Sequence, residues 1–484
     1  MKNLSEGSIP GHVAAMSMQM FVGMVVQVAY FVTDLKFVTI LGNDIAAGFS
    51  AAGNLWFAVL ALTQILNVGT AALVSHAVGA KQHERANLVF NQSLMMSVFM
   101  GAFVLVALYA VARPYMHLEA ADAVVAQAGI DYLMGVTPGL ALQFVTISLF
   151  ATLRGTGIVK PTMIIQFITV GLNILFAAIL TIGWLTGKPY GAFGAGLATT
   201  LATVAGVIIS AYYFHRHEKY VSFHREQTRP NGEVWKRLIL IGLPIGLEFF
   251  FMSFVMGVMY FVIRQFGADA QAGLAEGQGA MRFIMLPAMA VAFAAAPIAG
   301  QNFGARKPER VRETFRWTVG VSIVIMLALT VFCQFGSHLL MHIFTHEEAV
   351  VAIGATMLTI LSWNFAANGI IFSCSSMFQG LGNTWPTIAS SVIRLFIFVV
   401  PVLWLSTLPS FRLEDVWYLS VGSMFLQAVV ALILVRREFA KKLMGTVPVS
   451  WQKGTVIGGG AGGQRRDCLS RARDNHVAAH PQRR

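Results

Sequence analysis

Charged residues are scarce in this chain. They make up 12% of its 484 residues, whereas a soluble globular domain is about 25% charged, and 56% of the residues are hydrophobic. Such a composition excludes an ordinary soluble enzyme and a disordered scaffold. The apolar content is enough for roughly a dozen membrane-spanning helices of about 20 residues each.

Several chemical signatures are also missing. The three cysteines, Cys333, Cys374 and Cys468, lie far apart without C-x-x-C spacing, which argues against a disulfide framework or a metal site. No G-x-x-x-x-G-K-[ST] element is present and no room is left for a nucleotide-binding domain, so the energy for any transport must come from an ion gradient. Without H-E-x-x-H or G-x-S-x-G elements, we expect neither an intramembrane enzyme nor a cofactor.

The net charge of +12 is unevenly distributed. From Arg436 onward there are eleven Lys/Arg and only three Asp/Glu, so most of the excess lies near the C-terminus. We therefore expect no nucleic-acid partner, and we predict that residues 441–484 form a disordered basic tail, with contacts to anionic lipid head groups as the alternative.

Long apolar stretches follow one another along the chain. They predict a polytopic all-α membrane protein with twelve spans, near 13–40, 46–77, 87–111, 122–151, 158–185, 191–214, 238–264, 268–302, 316–336, 347–378, 386–407 and 415–435. Most basic loop residues fall on one side, which by the positive-inside rule places both termini in the cytoplasm of a plasma (bacterial inner) membrane.

The two halves of the chain are similar to each other at one constant offset in residue number, the offset that takes Gly79 to Gly304. LGNDIAAG from Leu41 matches FGADAQAG from Phe266, GAKQHER from Gly79 matches GARKPER from Gly304, and RGTGIVKPT from Arg154 matches QGLGNTWPT from Gln379. This predicts two pseudo-symmetric six-helix lobes around a central cavity, residues 1–214 and 238–440, joined by a basic cytoplasmic linker at 215–237. The repeated loop glycines and basic residues are interpreted as turn and topology determinants.

Function is expected where the halves differ. Asp34 lies about six residues, roughly 9 Å, from the outer end of the first span, and its counterpart under the repeat offset is Met259. An intramembrane acid is costly unless it faces a polar cavity or binds a cation, so it is a candidate to exchange a proton or hold Na⁺. Structural pairing with Lys36 or another basic group, or exposure at the outer surface, is the alternative.

Other intramembrane polar groups are weaker signals. Asn54, Gln64, Asn67, Asn173 and Thr199 either line a cavity or form interhelical hydrogen bonds. In the second half, Glu248 lies near mid-membrane, with Arg282 or Arg394 as its expected charge partner. Structural pairing and substrate or ion binding both remain open for Glu248.

Several motifs follow one another across residues 13–440: FVTDLKFVTILGNDIAAG, ALVSHAVGAKQHERA, LRGTGIVKPT, YGAFGAGLATT, IGLPIGLEFF, PIAGQNFGARKPERV and MFQGLGNTWPT. Together and in this order, they resemble the motifs of the multidrug and toxic compound extrusion (MATE) family. The resemblance implies two six-helix lobes in a V around a central cavity, exporting organic cations in exchange for H⁺ or Na⁺. It also implies a small-molecule cationic drug or toxin as the substrate, and we expect a monomer among membrane lipids.

The resemblance assigns roles to only some residues. Asp34 matches the first-lobe acid that binds the coupling cation, and Asn173 and Thr199 match polar members of that site, but the second acid often found one turn after the asparagine is Ala177 here. In the second lobe, the acids of NorM-type members fall on Met252 and Asn368, with Glu248 one turn before Met252. Coupling is therefore expected at Asp34, with H⁺ favoured over Na⁺. The candidate residues of the substrate cavity are Glu248, Met252, Asn368, Arg282 and Arg394.

Two other classes of function are the alternatives. Flippases for lipid-linked saccharides are similar two-lobe exporters, but they usually have more than twelve spans and a strongly cationic cavity, whereas Arg282 and Arg394 have candidate acidic partners here. A membrane enzyme or a channel would need clustered catalytic residues or a symmetric polar pore, and neither is visible in the sequence.

Overall fold

The structure, a computed structural model, describes residues 2–120, 122–185 and 187–443, and within these ranges the secondary structure is entirely helical. Two short 3₁₀ turns, Arg225–Thr228 and Arg264–Phe266, flank the seventh helix. The α-helices are α1 Ile9–Ile40, α2 Asn43–Gly79, α3 His83–Glu119, α4 Ala123–Gly155, α5 Lys160–Thr181, α6 Gly191–Arg216, α7 Gly232–Ile263, α8 Ala268–Gly304, α9 Pro308–Met341, α10 Glu348–Leu361, α11 Asn364–Gly380, α12 Trp385–Leu405 and α13 Leu413–Leu443.

Local sequence sets several helix starts. Asp122 accepts hydrogen bonds from the amides of Val124 and Val125 at 2.8 and 2.9 Å, and thereby caps α4. Asn231 caps α7 in the same way. Proline stands in the first turn of α1, α5, α9 and α12, where its missing amide hydrogen would have no partner within the helix.

The predicted all-α membrane fold is confirmed. In the described part of the chain, eleven helices are long and apolar enough to cross a membrane, and α10 with α11 gives a twelfth span bent by 56°. Side chains of α9 stabilise this bend, because Thr330 donates to the Ser362 carbonyl at 2.8 Å and Gln334 donates to the Thr359 carbonyl at 2.8 Å. Neighbouring side chains thus bond the polar groups at the break, as an apolar surround requires.

The helix boundaries follow the sequence repeat. Under the repeat offset, the corresponding boundaries coincide at the starts of α2 and α8, the ends of α2 and α8, the ends of α4 and α11, and the starts of α5 and α12. Two predicted segment limits differ from the structure. Helix α7 begins at Gly232, so the linker is shorter than 215–237, and α13 continues through Leu443, past the predicted limit at 440. The predicted tail beyond 443 lies outside the described residues.

Contacts between the two halves are made mainly by α2 with α7 and α8, and by α1 with α8. Residues of α2 pack closely on α7, where Gly69 lies against the Leu238 backbone and Gly246 against the Ala61 backbone. The first half of α1 packs on α8 through a buried apolar cluster that includes Met16, Val291 and Ile298. Beyond this cluster, the second half of α1 carries Tyr30 and Asp34, which contact α5 and α6.

Two hydrogen bonds join the halves where α2 and α8 end. The His76 Nε2 atom lies 2.7 Å from the Gly380 carbonyl oxygen, and Gln301 Nε2 donates to the Gly155 carbonyl at 2.9 Å. We call these four residues the latch. Close backbone approach accompanies it: a Cβ on Gly79 would overlap the Gln301 carbonyl, and a Cβ on Gly304 would overlap the His76 carbonyl.

The N-terminal segment crosses the same junction. The Lys2 amide donates to the Thr156 carbonyl in the first half at 2.9 Å, and the Leu4 amide donates to Gln301 Oε1 in the second half at 2.9 Å. Leu4 is fully buried. This segment therefore contacts both halves at the end that carries the latch.

Candidate functional site

Asp34 is a buried carboxylate in α1, with 7% of its surface exposed. Thr199 of α6 donates its hydroxyl to Asp34 Oδ2 at 3.2 Å. Within the described ranges no Lys, Arg or His nitrogen forms an ion pair with Asp34, and Lys36, the partner considered from the sequence, is exposed. A carboxylate buried without a cation is costly, so a proton or a bound cation would stabilise it.

Asn173 of α5 completes this group. It is fully buried, and its Nδ2 donates to the Tyr30 hydroxyl at 3.0 Å and to the Thr199 hydroxyl at 3.4 Å. Its Oδ1 atom is buried and has no hydrogen-bond partner among the described residues. The structure therefore brings together Asp34, Asn173 and Thr199, which are far apart in the sequence, and leaves one acceptor beside them unsatisfied.

Two tyrosines belong to the same surroundings and were missed by the sequence interpretation. Tyr30 lies one helical turn before Asp34, a spacing that places both on one face of α1 and that could have identified it. Tyr132 of α4 is buried, lies close enough to interact with the Asp34 charge, and packs edge-on against Phe49 at 4.7 Å between ring centroids. Nothing in the sequence marks Tyr132 among the many aromatics of the spans.

The position one turn after Asn173 supplies no acid. Ala177 is fully buried there, and the described residues contain no group of three or more His, Cys, Asp or Glu side chains that could hold a metal ion. The chemistry available is that of one carboxylate with hydroxyl and amide oxygens, which suits a proton or a monovalent cation rather than a transition metal.

Glu248 of α7 is the centre of a second polar group. Ser391 of α12 donates to Glu248 Oε1 at 3.3 Å, and Gln427 of α13 donates to the Ser391 hydroxyl at 3.3 Å. Arg394, one turn beyond Ser391, interacts electrostatically with Glu248 without a direct ion pair, and its Nε atom is buried without a partner in the described chain. Gln427 Oε1 is likewise unpaired.

The remaining second-half candidates lie apart from this group. Arg282 of α8 interacts electrostatically with Tyr260, as Glu276 also does, whereas Arg394 is the basic group whose charge reaches Glu248. Met252 follows Glu248 by one turn and is 56% exposed. Asn368 of α11 is half-buried, and no hydrogen bond within the described residues joins it to Glu248.

Arg154 has a role that its loop motif did not indicate. The sequence suggests only a topology determinant at the end of α4, but the guanidinium turns inward and donates to the Asn67 Oδ1 atom of α2. It also lies 5.9 Å from the centre of the Phe293 ring of α8 in the other half. Asn67 in turn donates to Gln64 at 2.8 Å, so several of the polar span residues noted in the sequence form a structural network.

The fold and these two groups define a class: a polytopic helical membrane protein built from two repeated halves, with a buried acid in the first half. The family model MatE matches residues 20–179 and 244–405. The chain therefore belongs to the MatE family, whose members are membrane transporters.

Known proteins agree with this assignment. The chain is 22% identical over 382 residues to the probable multidrug resistance protein YoeA of Bacillus subtilis (strain 168), covering 78% of this chain and 82% of YoeA. It is 22% identical over 393 residues to the multidrug export protein MepA of Staphylococcus aureus (strain NCTC 8325 / PS 47), covering 80% of this chain and 85% of MepA.

A solved structure shares the fold. A MOP superfamily transporter from Pyrococcus furiosus Vc1 (DSM3638) superposes with a TM-score of 0.86 at 23% identity, covering 92% of this chain and 99% of that chain. This likeness shows that the two chains share their overall fold.

Proposed function

We propose that this protein is a secondary active efflux antiporter that exports organic cations and drugs in exchange for H⁺, with Na⁺ as the alternative ion, and that Asp34 is the coupling site. The family, together with relatives described as multidrug resistance and multidrug export proteins, supports the export of small-molecule drugs. We place the protein as a monomer in the plasma (bacterial inner) membrane, with both termini cytoplasmic.

The observation that carries the proposal is the uncompensated burial of Asp34. Thr199 already donates to the carboxylate, while the neighbouring Asn173 Oδ1 accepts nothing from the described residues. A proton on Asp34 would neutralise the carboxylate and add a hydroxyl donor to surroundings that have an acceptor to spare. A Na⁺ ion would use the same oxygens as ligands. Either ion therefore improves the balance of charges and hydrogen bonds in this part of the first half.

Coupling requires that the ion and the drug favour different conformations. The latch joins the halves at the end where the basic loops lie, which the positive-inside rule assigns to the cytoplasm. With that assignment the conformation is closed to the cytoplasm, and Asp34 lies in the half of α1 nearer the outside. Ion uptake at Asp34 would then accompany release of the drug outward, and opening of the latch would expose the site to the cytoplasm.

The test is ethidium efflux from proteoliposomes under separately imposed proton and sodium gradients. Asp34→Asn should reduce gradient-driven efflux to the rate of protein-free liposomes, because the asparagine cannot exchange a proton. Asp44→Asn, an exposed acid at the start of α2, is the matched control and should transport at the wild-type rate. Full gradient-driven efflux by Asp34→Asn would refute the coupling role, and the effective gradient identifies the ion. Saturable ethidium extrusion also distinguishes this function from flipping of lipid-linked saccharides.

A further inference from the structure

Two loops related by the repeat meet at one cavity beside the latch. The cavity has a volume of about 430 Å³ and is lined by residues 79–82 (GAKQ) of the first half, residues 304–307 (GARK) of the second half, and the N-terminal residues Ser5 and Glu6. The sequence assigned these loops to topology alone. The structure adds that both contribute to the same cavity.

The two loops have the same unusual backbone. Lys81 has φ 57° and Arg306 has φ 56°, and they are the two non-glycine residues with positive φ in the described chain. Each follows the end of a helix, and the hydrogen bonds there are those of a Schellman turn. The Gln82 amide donates to the Ala77 carbonyl at 2.9 Å, and the Lys307 amide donates to the Asn302 carbonyl at 2.9 Å. Glycine is the residue that adopts this conformation most readily. Both halves instead carry a long basic side chain there, at a conformational cost.

The cavity has an excess of positive charge. Lys81, Arg306 and Lys307 line it, against the single acid Glu6. The Lys307 ammonium donates to the Ser5 carbonyl at 2.8 Å. The side chains of Lys81 and Arg306 are exposed, and neither makes a hydrogen bond or an ion pair to another described residue. Two cationic side chains from different halves are therefore held at one cavity without an acidic partner for either.

We propose that this cavity binds a phosphate group, held by Lys81 from the first half and Arg306 from the second. Arginine and lysine are the side chains that most often bind phosphate, and here one of each comes from a different half to line the same cavity. The group belongs either to free inorganic phosphate or phosphorylated solutes, or to an anionic phospholipid.

Binding at this cavity depends on conformation. Gly79 and Gly304 pack against the backbones of Gln301 and His76, so the two loops adjoin while the latch is closed and separate when the halves move apart at this end. Only the latched state presents Lys81 and Arg306 to one ligand. A bound phosphate therefore stabilises that state and slows opening at this end. Phosphate binding at this cavity involves no step at Asp34, so its absence would leave the proposed coupling untouched, and the reverse.

The variant that tests the site is the double substitution Lys81→Gly and Arg306→Gly. Glycine removes both cations and suits the left-handed backbone, so folding is preserved. The matched control is Lys160→Gln with Lys236→Gln, which removes two exposed cations of the same predicted membrane side away from the cavity. Thermal unfolding of the purified full-length protein is measured in detergent with inorganic phosphate or with NaCl of equal ionic strength, and in nanodiscs of phosphatidylcholine with or without phosphatidylglycerol.

We expect the midpoint of wild-type unfolding to rise with the logarithm of ligand concentration, above any effect of NaCl, and the rise to be lost in the double glycine variant and kept in the control. A response to inorganic phosphate identifies the free anion as a ligand, and a response to phosphatidylglycerol identifies the lipid. No response in either arm, or an equal response in the double glycine variant, overturns the proposal.

A distance measurement tests the link to conformation. Glu84 and Glu309 are exposed counterparts at the starts of α3 and α9, and spin labels at Glu84→Cys and Glu309→Cys, with Cys468→Ser, report the separation of the halves. The responding ligand should increase the population with the short distance. The unfolding midpoint could shift in a way that requires Lys81 and Arg306 while the spin-label distance distribution stays unchanged. That result would overturn the conformational part of the proposal.

Discussion

His76 and Gln301 occupy equivalent positions in the two halves under the repeat offset, and each bonds to the carbonyl of a glycine in the opposite half. Those glycines, Gly380 and Gly155, are related to each other by the same offset. The latch is therefore a pseudo-twofold exchange in which each half supplies one nitrogen donor and one backbone acceptor. Different side chains perform the equivalent role, since an imidazole N–H and an amide N–H can both donate to a carbonyl.

Loss of these donors should favour opening at the latch. Each hydrogen bond contributes about 0.5–1.5 kcal/mol, so His76→Ala should shift the equilibrium between closed and open states by roughly 2- to 10-fold. Gln301→Ala also removes the acceptor of the Leu4 amide, so its shift should be at least as large. Spin-label distances between the starts of α3 and α9 measure that shift. Gln334→Ala is the control, because Gln334 makes its two hydrogen bonds within the second half. If the two latch variants keep the wild-type distance distribution, the latch does not hold the closed state.

A methyl group at the close contact should prevent latch closure. Gly79→Ala and Gly304→Ala each place a Cβ against a backbone carbonyl of the opposite half, which cannot move aside as a side chain can. We expect ethidium efflux to be lost while the protein remains folded and inserted. Gly320→Ala, in a helix with nothing within 4 Å of the added Cβ, is the control and should be neutral or slightly stabilising. Wild-type efflux by both junction variants would show that this contact is dispensable.

The sequence predicted most of the fold because hydrophobicity and repeat period are properties of long segments. The twelve spans and the internal repeat can be predicted without knowing which helices pack against each other. The latch was not predictable in the same way, because the repeat is visible in identical residues, whereas His76 and Gln301 differ. Arg154 shows a similar limit, because its position in a basic loop suggested topology, whereas its guanidinium reaches Asn67 between the helices.

The first-half site was partly predictable. Asp34, Asn173 and Thr199 were identified individually, and the structure links them through hydrogen bonds that Thr199 makes with both of the others. Tyr30 follows from helical spacing, but Tyr132 lies near the group only because α4 packs against α6. Such neighbours depend on the packing of helices distant in sequence, which a single sequence does not specify.

Thr199 is expected to act on coupling through its hydroxyl. Thr199→Val keeps the side-chain shape and removes the donor to Asp34, so gradient-driven efflux should fall by roughly 10- to 150-fold, which corresponds to about 1.5–3 kcal/mol for a lost hydrogen bond to a charged group. Thr203→Val, one turn further along α6, removes a hydroxyl that bonds only the backbone of its own helix, and should have little effect. Equal losses in the two variants would point to a general defect of α6.

Glu248 and Arg394 should behave as a coupled pair even though they form no direct ion pair. Glu248→Gln or Arg394→Gln leaves one charge without its counterpart. Because both residues are half-buried, each single change should cost on the order of 1–3 kcal/mol, below the cost for a fully buried pair, while the double variant should recover much of the loss. Reversible unfolding in SDS measures these free energies. The control cycle is Glu276→Gln with Arg282→Gln, two residues six apart on α8 whose effects should add. If the Glu248 and Arg394 effects also add, electrostatic pairing is excluded and binding of a substrate or an ion becomes the better explanation for these two charges.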